Sequence, residues 1–196
     1  MNTFLSRIKI KPNRLLIGTL LIGLFLLNSI GNSQNEFSVK SYKYMDSDLS
    51  DLTKFSYTEF EKLPNSFREK LNSEGWTLYI SGEEIEDIYD LDYVVYGLTD
   101  VKKRAIFIES SDVIMHELVH AAFFNVDTLK TKLLKAKGVE KEIEDSDLDS
   151  YYKSSYDEYI IESISRYLED SNYLNDYPIT KEIADEMLKG AKWIYE

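Results

Sequence analysis

The stretch Val-Ile-Met-His-Glu-Leu-Val-His-Ala-Ala-Phe-Phe, residues 113–124, decides how the rest of the chain is read. Nine of its twelve residues are apolar and they fall on every side of a helix, which predicts a buried helix rather than a surface one. On that helix His116 and His120 lie one turn apart and share a face. They are the only two histidines in the chain. Burying two imidazoles and a carboxylate without partners costs roughly 2–7 kcal/mol per unsatisfied group. A metal ion held by both imidazoles offsets that cost, and His-Glu-x-x-His is the pattern zinc peptidases use for it. Glu117, between the two histidines, is then placed to take a proton from water at the metal. The plain alternative is a pair of helix histidines satisfied by backbone carbonyls, and the apolar setting argues against it.

A catalytic zinc takes three protein donors and keeps one position open. The chain has no cysteine, so neither thiolate ligands nor disulfides are available. A third histidine six residues after the second would mark a metzincin, and Val126 stands there. The third donor must therefore be an oxygen. Asp127, Asp157, Glu158 and Glu162 are the downstream candidates. Glu158 and Glu162 are four apart, so they share a face of the helix expected over 154–170. One of the two could bind the metal while the other holds a ligand imidazole from behind. Equally, Ser155-x-x-Glu158 reads as a capping box, and Glu158, Glu162, Ser165 and Glu169 as a solvated stripe.

Outward from this centre the pattern is mixed first and helical later. A helix is expected over 64–71, with Pro64 in its first turn and Gly75 as its stop. Residues 76–81 alternate Trp, Leu and Ile against Thr, Tyr and Ser, a half-buried strand. The β-branched and aromatic runs 93–96 and 105–109 predict a hairpin closed by 97–104, with 105–109 as an edge strand able to pair with an extended peptide. Ser110, Ser111 or Asp112 is placed to cap the His-Glu-x-x-His helix. Further helices are expected over 128–137 and 180–193. The acidic stretch 138–150 reads as an exposed loop. The order predicts a single α+β domain, mostly helical, with a small sheet ahead of the metal helix.

The organisation of the chain is read from charge and hydropathy. The chain has 196 residues and a formal net charge of -12. Residues 1–33 carry Arg7, Lys9, Lys11 and Arg14 and no acid, which leaves about -16 on the remainder by subtraction. So acidic a body repels phosphate backbones and excludes nucleic acid as a partner. The 13-residue apolar run at 15–27 follows the basic stretch and precedes small residues at Ser29, Gly31 and Ser33. It is short for a membrane span and reads as a signal peptide, or as an anchor if uncleaved. Either way the body is expected outside the cytoplasm, with the membrane as a partner only in the uncleaved case. Residues 34–52 read as a polar lead-in and 53–196 as the folded domain, expected to be a monomer.

His-Glu-Leu-Val-His-Ala at 116–121, together with Tyr-Asp-Glu-Tyr-Ile-Ile-Glu-Ser-Ile at 156–164, resembles the catalytic domain of the anthrax lethal factor family of zinc metallopeptidases. The small secreted Pro-Pro endopeptidases of that family are the more similar members. The resemblance spans roughly 60–196. It implies a gluzincin-like fold, one Zn2+ per chain, and a protein or peptide substrate. It implies that Glu158 is the third metal ligand and that Glu162 stands behind the ligands. The family's tyrosine seven residues before the ligand Glu falls on Tyr151, implied to donate to the oxyanion; a loop shifted by one would put Tyr152 there. The sequence departs from the family at Phe123, where relatives carry an acid, and lacks the Gly- and Trp-containing loop of the Pro-Pro enzymes. The competing reading is an extracellular zinc-binding or membrane-anchored interaction module without catalysis.

Overall fold

The computed structural model describes residues 37–42, 49–82, 84–123 and 132–189. The expected export segment at 1–33 therefore lies outside the described residues, as do Phe124, Asp127 and the first half of the helix expected over 128–137. Among the described residues no helix is long and apolar enough to cross a membrane.

The architecture is mixed α+β, with one four-stranded sheet. The strands are β1 (Ser38–Tyr42), β2 (Thr77–Ser81), β3 (Gly97–Asp100) and β4 (Ala105–Ile108), in spatial order β1-β2-β4-β3. β1 and β2 run parallel, as do β2 and β4, whereas β3 returns antiparallel along β4. Parallel neighbours need a crossover. Two helices, α1 (Leu49–Lys62) and α2 (Asn65–Glu74), carry the first one. Gly75 ends α2 in the left-handed conformation, φ 72°, and its N–H bonds back to the Asn72 carbonyl.

β4 is the central strand beside the site. All four residues of Ala-Ile-Phe-Ile are buried. Ile106 and Ile108 join Leu78, Ile80 and Trp76 in the main core, while Ala105 and Phe107 face a second cluster with Ile85, Tyr42, Tyr79 and Tyr89. The edge is instead β3, on the far side of β4. This corrects the expectation that 105–109 forms the edge. The run is apolar without alternation, the signature of a strand covered on both faces. The hairpin itself forms, but its first arm is 97–100 rather than 93–96, and Tyr93, Val94 and Tyr96 stay exposed outside it.

Helix α3 (Ile85–Tyr89) covers the second cluster. Ser110 accepts a hydrogen bond from the Asp112 N–H and starts a short 3-10 turn that runs into α4 (Ile114–Phe123), the His-Glu-x-x-His helix. Every residue of α4 except His120 is buried. Its last turn leaves carbonyls without helical partners. The buried Lys70 of α2 donates to one of them, Ala122 O, at 3.0 Å.

Two further expectations change. The lead-in reading of 34–52 gives way at 38–42, which is β1, with Phe37 buried and stacked on Phe60 of α1. The expected acidic loop contains α5 (Val139–Asp145), and the single-turn α6 (Ser150–Lys153) begins at its last residue. Glu142 of α5 is buried because it accepts from Ile179 N, Thr180 N and the Thr180 hydroxyl at 2.7–2.9 Å. It thus satisfies the free N–H groups at the start of α8 (Pro178–Lys189), where the helix dipole favours a negative charge. Helix α7 (Tyr156–Glu169) packs against α4 with Glu158 and Glu162 turned to the histidines, while Ile160, Ile161 and Ile164 are buried in the main core.

Candidate metal centre

Three side-chain atoms converge where α4 meets α7. His116 Nε2 lies 3.0 Å from His120 Nε2 and 3.2 Å from Glu158 Oε2, and His120 Nε2 lies 3.6 Å from the same oxygen. A tetrahedral ion at ~2.0–2.1 Å from its ligands has donor–donor edges of about 3.3–3.4 Å. The observed triangle brackets that spacing. Glu158 Oε2 is also buried and lacks a properly directed hydrogen bond. A carboxylate oxygen in that state is costly unless a cation completes it. His116, His120 and Glu158 could therefore hold a metal ion, and among the described residues no other group of three His, Asp or Glu side chains converges in this way.

The local chain explains the convergence. Ser155 caps α7 by accepting from the Asp157 N–H at 3.2 Å, which orients the first turn. Glu158, the residue a capping box would turn back on Ser155, faces the histidines instead. Asp157, another candidate donor, is exposed and outside the group.

Behind the donors, Glu162 Oε2 lies 3.0 Å from His116 Nδ1. A carboxylate on the far nitrogen fixes the tautomer that presents Nε2 to an ion. Glu162 Oε1 accepts from Arg166 Nε at 2.8 Å. Arg166 also faces Asp147 at 3.4 Å, and Asp147 accepts from the Tyr173 hydroxyl at 2.9 Å. Arg166, Asp147 and Tyr173 were missed in the sequence; the four-residue spacing of Glu162 and Arg166 is the one signal that pointed to part of this chain.

Electrostatics follow from this packing. Burial works to lower the His116 pKa, but the close carboxylates of Glu158 and Glu162 and the charge of Glu117 overcome it, so the imidazole is raised to about 9 in the metal-free protein. Burial likewise works to raise Glu158, and His116 and His120 overcome it, holding that carboxyl at about 2.

Glu117 takes no part in the donor triangle. Its Oε2 accepts from the Thr99 hydroxyl of β3 at 2.7 Å. Tyr151 and Tyr152 sit next to each other on α6, their rings 5.2 Å apart, yet they meet different charges. Tyr151 is 63% exposed, and its hydroxyl is raised above the usual tyrosine range by desolvation and then by Glu158 and Glu117. Tyr152 lies against the His116 ring at 5.4 Å and is raised to about 12 by desolvation and then by Glu162. Tyr151 thus answers to the open side of the site and Tyr152 to the inner side.

The fold and site together define an α+β domain with a candidate two-histidine, one-glutamate metal centre. Comparison with protein-family models, with curated proteins and with solved structures gives no match.

Proposed function

We propose that this chain is a secreted zinc endopeptidase with a gluzincin-like domain, acting on extracellular protein or peptide substrates. One observation carries the reading: a three-donor triangle of zinc dimensions has Glu117 and Tyr151 beside it rather than in it. Pure metal storage needs neither of those groups. The likeness of residues 116–121 and 156–164 to the lethal factor family supports the same assignment, and the basic-then-apolar segment 1–33 supports export.

A zinc ion held by His116, His120 and Glu158 would supply a Lewis acid for the scissile carbonyl and would make the attacking water more acidic, toward a pKa of about 7. Glu117 accepts the proton of the attacking water and delivers it to the leaving amine. Tyr151 donates its phenol hydrogen to the oxygen of the cleaved carbonyl as negative charge develops there. Its raised pKa keeps the hydroxyl protonated and able to donate at neutral pH. Glu162 and Arg166 keep His116 oriented. The exposed edge of β3, next to Glu117, offers backbone groups to an extended peptide in the role first expected of 105–109.

The test is to purify the chain, measure its zinc and assay a peptide library. Glu117→Ala should retain stoichiometric zinc and lose cleavage by at least ~100-fold, the scale of a general base. Cleavage at the parental rate by that variant contradicts the mechanism. Zinc binding without any cleavage by the parent favours a non-catalytic metal-binding module instead.

A further inference from the structure

We propose that Gly97 and Thr99 of β3 are positioning residues that hold the Glu117 carboxylate in place, Gly97 by leaving it space and Thr99 by a hydrogen bond. The inference rests on the peptidase reading above for its kinetic consequence, though not for its geometry.

Gly97 carries the first half. Glycine is usually required where φ is positive. Among the described residues the positive-φ glycines are Gly75 and Gly138, so Gly97 is not there for a left-handed backbone. As a strand residue it weakens the edge, since it contributes no side chain to pack. What it provides is room. A Cβ at Gly97 would lie 2.7 Å from Glu117 Oε1, 2.8 Å from its Cγ and 3.0 Å from its Cδ. Even alanine would therefore displace the carboxylate.

Thr99 carries the second half. It is two residues on, so it points to the same side of β3 as Gly97. Its hydroxyl lies 2.7 Å from Glu117 Oε2 and 3.0 Å from the Glu117 backbone oxygen. A hydroxyl has one hydrogen to give. The carboxylate, shorter and charged, is the stronger acceptor. Thr99 thus grips one oxygen while the other rests over Gly97. A base must sit within hydrogen-bond reach of its proton to work. Because β3 is also an edge strand of the sheet, the strand that could pair with a peptide is the strand that sets the base.

The experiment uses three variants of the full chain. Thr99→Val keeps the shape and removes the donor; it should lower kcat about 10-fold, with KM and zinc content unchanged. Thr99→Ser restores the hydroxyl and should recover most of the loss, which a merely structural role of the threonine methyl would not allow. Gly97→Ala should lower kcat about 100-fold with zinc retained. Parental kcat in both Thr99→Val and Gly97→Ala overturns the proposal. Should the zinc-loaded parent cleave no peptide, the peptidase reading fails alone, and crystal structures decide the positioning. A Glu117 carboxylate on Thr99 in the parent that turns away in Thr99→Val supports it. The same Glu117 placement in both, or a parent with Glu117 off Thr99, overturns it.

Discussion

The inner and outer sides of the candidate metal centre are built on different principles. Behind His116 a chain of paired polar groups runs through Glu162, Arg166, Asp147 and Tyr173, each bonded or ion-paired to the next. On the other side, Tyr151 is 63% exposed and the run leading into β3 leaves Tyr93, Val94 and Tyr96 at 57%, 66% and 60%. The inner side holds donors still, which is what affinity for an ion requires. The outer side leaves large side chains in water beside Glu117, which is what admission of a substrate requires. Metal binding and chemistry should therefore be separable by mutation, and each prediction below probes that division.

The largest effect is expected on the outer side. Tyr151→Phe should lower kcat by about 100- to 1,000-fold with zinc content unchanged, the loss seen when one oxyanion donor is removed. Tyr152→Phe, on the inner side, should cost less than about 10-fold. Reversal of that order would exchange the two tyrosines and put the α6 turn one residue out of register.

On the inner side, Glu162→Gln should weaken zinc binding about 10- to 100-fold, measured by competition with a chelating dye, because the carboxylate no longer orients His116. With zinc saturating, its kcat should change far less than that of the Tyr151 variant. Equal losses in affinity and in saturated kcat would show that the two sides do not divide the work.

The smallest effect over a single pH unit is a pH dependence. The metal-free His116 is raised to about 9, so below that pH an ion must displace a proton to bind. Zinc affinity should rise about tenfold per pH unit from pH 7 to about 9 and then level. Stability of the metal-free protein runs the other way: the His116 contribution is complete below about 6.5 and is lost as pH rises through about 9. That of Glu158 is complete above about 4.5 and is lost as pH falls toward about 2. An affinity flat between pH 7 and 9 would mean that the Glu158 and Glu162 contacts do not hold a proton on His116.

The division also explains what could be read from residues alone. Helix α4 was legible because its apolar residues cover every face and its histidines are spaced for one ion. Glu158 and Glu162 were legible as a pair, and the family resemblance assigned their roles; the structure separates them by distance from the two imidazoles. Helix α1 was hidden because two of its buried positions are Ser56 and Glu59. Both are satisfied locally, by the Leu52 carbonyl and by Lys62, and so they interrupt the apolar stripe without cost. The buried face of α5 was hidden for a related reason: Glu142 reads as solvated until its partners on α8 are known. Thr99 and Gly97 gave no signal because their partner is 18 and 20 positions away, and only the packing of β3 on α4 brings them to it.

The most direct measurement is zinc-edge X-ray absorption on the purified chain. The account predicts one zinc per chain with light-atom protein donors at about 2.0–2.1 Å, two of them imidazoles, and loss of that signal in His116→Ala. A purified protein that retains no zinc when the metal is supplied, or zinc bound without imidazole, would contradict it.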